Sequence, residues 1–299
     1  MLMDSLISRI IEMQSPIAVG LNPNLSQIPD KLKSEPFLRR GKTPEAVARI
    51  FFRFNRGIID QIHDVVPAVR VPLAAYIEWG VAGIDCYAKT IAYAKSKKLL
   101  VIGDAMAGVY TRGHIGRVDV DGTIHKVFDE DFITVSPYMG YDTVEPYLAD
   151  CKGYGKGIFV VVKTPNPGAG DVQDLKTSEG LSIYRHVGHL VSHWGRGMIG
   201  EYGFSAVGAV VGAVNAEESR ILRENMPHTF FMVPEYGKIG SLARDIKELF
   251  NKKKAGAIVN AEAGVIDAFQ QDAYKGYGEA GFAQAAKAAV MDMKRELAS

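Results

Sequence analysis

Five ionisable side chains stand where apolar runs give out, the places at which a buried strand ends and chemistry becomes possible: Arg70, Asp104, Lys163, Glu235 and Glu262. Asp104 closes "LLVIGDA" (99–105) and is followed by Ala105, Met106, Ala107, Gly108 and Val109. Two roles are open to it. In an apolar setting of Met106, Val109 and Ile77 it is a general base, with desolvation favouring its neutral form. Alternatively it is matched by Arg70 of "AVRVPLA" (68–74), because buried charges are generally paired. Lys163 ends "GIFVVVKT" (157–164) and is either an amine nucleophile that forms a Schiff base with a carbonyl compound, or an inherited structural cation. Glu235 and Glu262 read as an acid–base pair, a cation site, or charges offset by Lys238. His186, His189 and His193 recur at helical spacing with no Cys or carboxylate pattern beside them, so they read as a solvated helix face, and no metal is expected.

Such residues work only if a scaffold gathers the strand ends. Eight short apolar, β-branched runs occur, at 17–23, 68–74, 99–105, 132–138, 157–164, 206–213, 230–237 and 255–264. Most are continuously apolar, as strands covered on both faces must be. Amphipathic stretches at 43–65, 83–98, 180–195, 215–226 and 241–253 alternate with them. This rhythm predicts an α/β fold, a closed (β/α)8 TIM barrel forming one domain over residues 1–299. No G-x-G-x-x-G follows the first run, which argues against a dinucleotide-binding sheet. "GRVDVDGTIHKVFDED" (116–131) alternates around an Asp-Gly turn and predicts a β-hairpin inserted before the fourth strand. Barrel chemistry sits at the carboxyl ends of the strands, which adds Asn22, Ser136, Thr164, Asn166, Asn215, Gly237, Gly240 and Asn260 to the candidates.

Bulk properties narrow the function classes. The net charge of +1 lacks the cationic excess that a nucleic-acid partner requires. No apolar run approaches the roughly 20 residues needed to span a bilayer, and the opening "MLMDSLISRIIEMQ" does not read as a signal peptide. Cys86 and Cys151 lie in helix-like segments without metal spacing and read as free thiols. A cytoplasmic protein with a small-molecule ligand is expected.

"SPYMGYDTVEPYLADCKGYGKGIFVVVKTPNPGAGDVQDL" (136–175), "VGAVVGA" (207–213), "MPHTFFMVP" (226–234) and "GAIVN" (256–260) closely resemble the longer bacterial type of orotidine 5'-phosphate decarboxylase. The resemblance implies a TIM barrel that forms a homodimer with its active site near the interface. It also implies conversion of orotidylate to uridylate, in pyrimidine synthesis, without metal or organic cofactor. The family places an Asp after the first strand, a Lys after the second, and D-x-K-R-x-D-I after the third, with one Lys giving the proton to the carbon that loses carbon dioxide. In this chain Asn22 stands for the first Asp and Arg70 for the strand-two Lys, while Asp104 matches the first Asp of the third motif. The expected Lys and last Asp have no counterpart, and Met106 is expected to lead directly into a helix over "AGVYTRGHIGRV" (107–118).

The phosphate grip departs too. "PEYGKIGS" (234–241) replaces P-G-x-G-A-Q-G-G, and "VNAEAG" (259–264) replaces V-N-S-S-R-G, leaving Ala263 at the phosphate-holding Arg. Gly237, Gly240 and Gly264 still offer backbone amides to an anion. Glu235 and Glu262, however, bring like charge toward the dianion, at a cost on the order of several kcal/mol in a partly dry site. In "VKTPNP", Pro165 replaces the Ser that would bond the pyrimidine. The resulting expectation is a barrel of this type with its decarboxylase site dismantled, repurposed or redesigned for a less anionic small molecule. Its catalytic candidates are Asp104, Arg70, Lys163, Glu235 and Glu262. Its ligand-binding candidates are Asn22, Met106, Ser136, Thr164, Asn166, Gly237, Lys238, Gly240 and Asn260. A non-catalytic binding or regulatory barrel, and a decarboxylase with a non-standard site, are the alternatives.

Overall fold

A computed structural model describes residues 1–213, 216–234, 246–251 and 255–298. The barrel strands are β1 (Ile17–Gly20), β2 (Ala68–Pro72), β3 (Leu100–Ala107), β6 (Phe132–Val135), β7 (Gly157–Lys163), β8 (Val207–Val211), β9 (Phe231–Val233) and β10 (Ala257–Ala261). Between β3 and β6 lie β4 (Val118–Val120) and β5 (Thr123–His125). Eight parallel strands close into a barrel in the order β1-β10-β9-β8-β7-β6-β3-β2, alternating with helices as the apolar rhythm predicts. Every β1, β2, β6, β8, β9 and β10 residue is buried, which is why these segments tolerate no polar alternation.

Contacts gather the chain into two compact units. One comprises Arg9–Ala105, Val127–Glu130 and Ala261–Ser299. Within it, β1 pairs β2 with Gly20 opposite Arg70, and β2 pairs β3 with Pro72 opposite Asp104. The helix Pro44–Ile62 buries an apolar stripe of Val47, Ile50, Phe51, Phe54, Ile58 and Ile62. Proline at its first position and Thr43, whose hydroxyl accepts from the Ala46 amide at 3.3 Å, fix where it starts. The other unit comprises Met1–Ser8, Met106–Lys126 and Asp131–Asn260. Its β6–β7 register sets Phe132 opposite Gly157, where a Cβ would lie 2.4 Å from the Phe132 ring. Only glycine fits beside that ring.

Two expectations meet different outcomes between β3 and β6. The hairpin forms: β4 and β5 pair antiparallel around Asp121 and Gly122, both at positive φ (49° and 81°), as a tight primed turn demands. The helix over 107–118 does not. β3 runs on to Ala107 and the chain then turns through 108–117. Gly108, Gly113 and Gly116 make a helix costly there, and tertiary bonds supply what a helix would have given. Tyr110 donates to Asp150 Oδ2 at 2.8 Å, the Thr111 amide donates to the Tyr147 hydroxyl at 3.3 Å, and that hydroxyl donates to the Val109 carbonyl at 3.3 Å. Among the described residues, no helix is long and apolar enough to cross a membrane.

Candidate functional site

In the first unit, four of the sequence-predicted residues converge. Arg70 on β2, Asp104 on β3 and Glu262 just past β10 have side chains only 9%, 6% and 10% exposed. The planar guanidinium of Arg70 uses both outer nitrogens: Nη2 donates to Asp104 Oδ2, and Nη1 to Glu262 Oε1. Asn22, at the exposed end of β1, donates from Nδ2 to the second Glu262 oxygen at 3.1 Å. A lysine here would offer a single ammonium nitrogen in place of two separate donor nitrogens. The backbone below is tied as firmly. The Leu21 amide donates to the Arg70 carbonyl at 2.8 Å, and the Leu73 amide to that of Asp104 at 3.0 Å. Tyr76 donates to the Leu21 carbonyl at 2.9 Å and accepts from Asn55 Nδ2 at 2.8 Å, and burial holds its phenol well above the ordinary value.

Of the two roles open to Asp104, the ion pair with Arg70 is the one present. Met106, Val109 and Ile77 are themselves 49%, 72% and 53% exposed. Glu262 has Arg70 and Asn22 as partners. Its proposed companions Glu235 and Lys238, together with Gly237, Gly240 and Asn215, lie outside the described residues. Arg70 thus reaches both carboxylates. Arginine keeps its proton throughout the working pH range, so it can orient or bind but cannot serve as an acid.

The second unit carries the remaining candidates. Lys163, buried at the end of β7, pairs with Asp174 and lies 4.6 Å above the Tyr184 ring. Lys163 therefore has an ion-pair partner and an aromatic face within this unit, as its structural reading expects. Beyond it, the Thr164 amide donates to Gln173 Oε1 at 3.0 Å, Gln173 Nε2 donates to the Thr164 hydroxyl at 2.7 Å, and that hydroxyl donates to Asn166 Oδ1 at 2.6 Å. These bonds fold the loop onto its own strand end. The Met106 amide donates to Thr134 Oγ1 at 2.8 Å, Ser136 receives the Tyr138 amide at 3.4 Å, and Asn260 is wholly buried. His186, His189 and His193 are exposed along the helix Ile183–Gly195. Gln173, Asp174 and Tyr184 escaped the sequence reading, since nothing local marks a loop acid as the partner of a strand-end lysine.

Comparison with known proteins bears on this geometry. Residues 117–271 match the sequence model of the orotidine 5'-phosphate decarboxylase / HUMPS family. The orotidine 5'-phosphate decarboxylase of Clostridium kluyveri is 35% identical over 88% of this chain and 87% of its own length. This chain belongs to the orotidine 5'-phosphate decarboxylase family. The family member from Petrotoga mobilis is 34% identical over 100% of this chain and 99% of its own. Among solved structures, the Leishmania donovani OMP decarboxylase superposes with a TM-score of 0.71 at 22% identity, covering 100% and 99% of the two chains. The Methanocaldococcus jannaschii enzyme, complexed with the inhibitor BMP, gives 0.57 at 13% identity over 95% and 99%. Both share the family's barrel.

Proposed function

We propose that this member of the orotidine 5'-phosphate decarboxylase family binds a small molecule less anionic than orotidylate at the carboxyl ends of its strands, and has lost decarboxylation of orotidylate. One observation carries the reading: Arg70 is engaged by Asp104 and Glu262 together. The resemblance puts a lysine at Arg70 and an aspartate at Asn22. A guanidinium with both outer nitrogens committed to carboxylates neither releases a proton nor turns to a new partner cheaply. By the resemblance, Met106 and the turn after it stand where the family carries its proton-donating lysine. Without that donor, the electrostatic stabilisation on which the reaction depends is lost. The reading includes a cytoplasmic homodimer, as the resemblance implies.

A second reading, orotidylate decarboxylation itself by a non-standard site, is favoured by the 34% identity that extends over the full chain. One experiment separates the two. The chain is incubated with orotidylate while absorbance reports uridylate formation, and calorimetry measures binding of orotidylate and uridylate. The proposal expects neither turnover nor micromolar binding. Turnover that vanishes in Asp104→Ala establishes the second reading instead.

A further inference from the structure

Away from the strand ends, two outer helices of the first unit, Asp30–Arg40 and Pro44–Ile62, carry Arg39, Arg40, Arg49, Arg53 and Arg56. Glu35 meets three of them: Arg39 Nε at 2.8 Å, Arg53 Nη1 at 2.5 Å and Arg49 Nε at 3.8 Å. Three arginines against one carboxylate leave an excess of two positive charges at one spot, more than the net +1 of the whole chain. A pair serving only the fold needs one arginine, and clustering two more on half-exposed stems is repulsive unless an anion joins them.

Arg49 is the link to a cavity. It holds Glu35 at the longest of the three distances, its side chain is 46% exposed, and it lines a groove of about 570 Å3 with Arg40, Phe52, Val81 and Lys89. That volume lies within the roughly 300–1,000 Å3 of small-molecule sites. Of the groove's two carboxylates, Asp85 takes Lys89 at 2.5 Å, while Glu45 is held below its ordinary value chiefly by its own backbone amide and the Thr43 hydroxyl, with Arg40 adding least. The wall is apolar: Phe52 is half-buried and Val81, 86% exposed, is an aliphatic side chain left in water beside a cation. An anion without an apolar part would leave that wall wet. An apolar ligand without an anion would leave the arginine excess unmatched.

We propose that this groove is a second ligand site, which takes a phosphate ester bearing a flat apolar group, with the phosphoryl on Arg49 and the apolar group against Phe52 and Val81. Guanidinium suits this role because its planar fork meets phosphate oxygens in pairs. The site is independent of the reading given to the strand ends. The test is calorimetric titration of the full chain with phenyl phosphate and, separately, inorganic phosphate. Phenyl phosphate is expected to saturate and to bind more tightly than inorganic phosphate. Arg49→Ala should weaken it by about tenfold, the loss of one charge-assisted contact. Val81→Asp, at an exposed position, should abolish it without changing the melting temperature. Absence of saturation, equal binding of the two anions, or binding that survives either substitution unchanged overturns the proposal.

Discussion

Replacing Arg70 with methionine keeps the apolar stem on β2 and deletes the guanidinium, leaving Asp104 and Glu262 buried without it. With side chains 6% and 10% exposed, neither carboxylate regains full hydration in the variant. Removing one partner of a buried ion pair costs about 3–5 kcal/mol, most of it the burial of the charge left behind. At roughly 2 °C per kcal/mol for a chain of this size, Arg70→Met should lower the melting temperature by about 6–10 °C. Scanning calorimetry at neutral pH measures it. Because the pair is buried, the difference should persist in about 1 M salt, where exposed pairs are screened within about 3 Å. Adding Asp104→Asn and Glu262→Gln to Arg70→Met removes both charges and should recover more than half of the loss. If Arg70→Met melts within a degree of the parent, or the triple variant melts lower still, the charge-burial reasoning is wrong.

Three further outcomes are expected. Burial pushes the Cys86 thiol up to about 12 and the Cys151 thiol higher, so at pH 8 a disulfide reagent should find no fast thiol in the native chain and both in guanidinium chloride; a fast native thiol would contradict this packing. Gly103→Ala puts a Cβ 2.8 Å from Glu130 Cγ and Oε1 and 3.0 Å from the Tyr87 hydroxyl, an overpacking worth about 1–3 kcal/mol that should appear as a lower urea midpoint at unchanged slope. Burial raises the Asp150 carboxyl above its ordinary value, against the pull of Tyr110, Arg112 and Arg117. The folded chain therefore holds that proton more tightly than the unfolded chain. The associated stability is full below the ordinary carboxylate value and is lost as pH rises toward the raised one. Asp150→Asn should thus gain melting temperature relative to the parent between pH 4 and pH 7, and a difference that stays constant across that range would refute the assignment.

Much of this fold is written locally. Strands β1, β2, β6, β7, β8, β9 and β10 fall inside the apolar runs because a segment covered on both faces must be apolar throughout. The predicted runs overshoot at their carboxyl ends, at Leu21–Pro23 and Ser136–Tyr138 for example, where the turn formers Asn22, Pro23, Ser136 and Pro137 already mark the end of pairing. The hairpin was legible from Asp121-Gly122, a turn set by two adjacent residues. The segment after β3 was not, since Tyr110 reaches Asp150, 40 residues on, and such a bond overrides local helical patterning.

The candidate site divides along the same line. Sequence alone placed Arg70 and Asp104 in consecutive apolar runs, and a buried aspartate needs a cation, so their pairing could be foreseen. Only the tertiary structure decided that Glu262, 192 residues from Arg70, takes the other half of the same guanidinium, and that Asn22 takes the glutamate's second oxygen. Composition gives a charge no address. Strand register and the bonds at the strand ends do, because an ion pair forms or fails over an ångström or two.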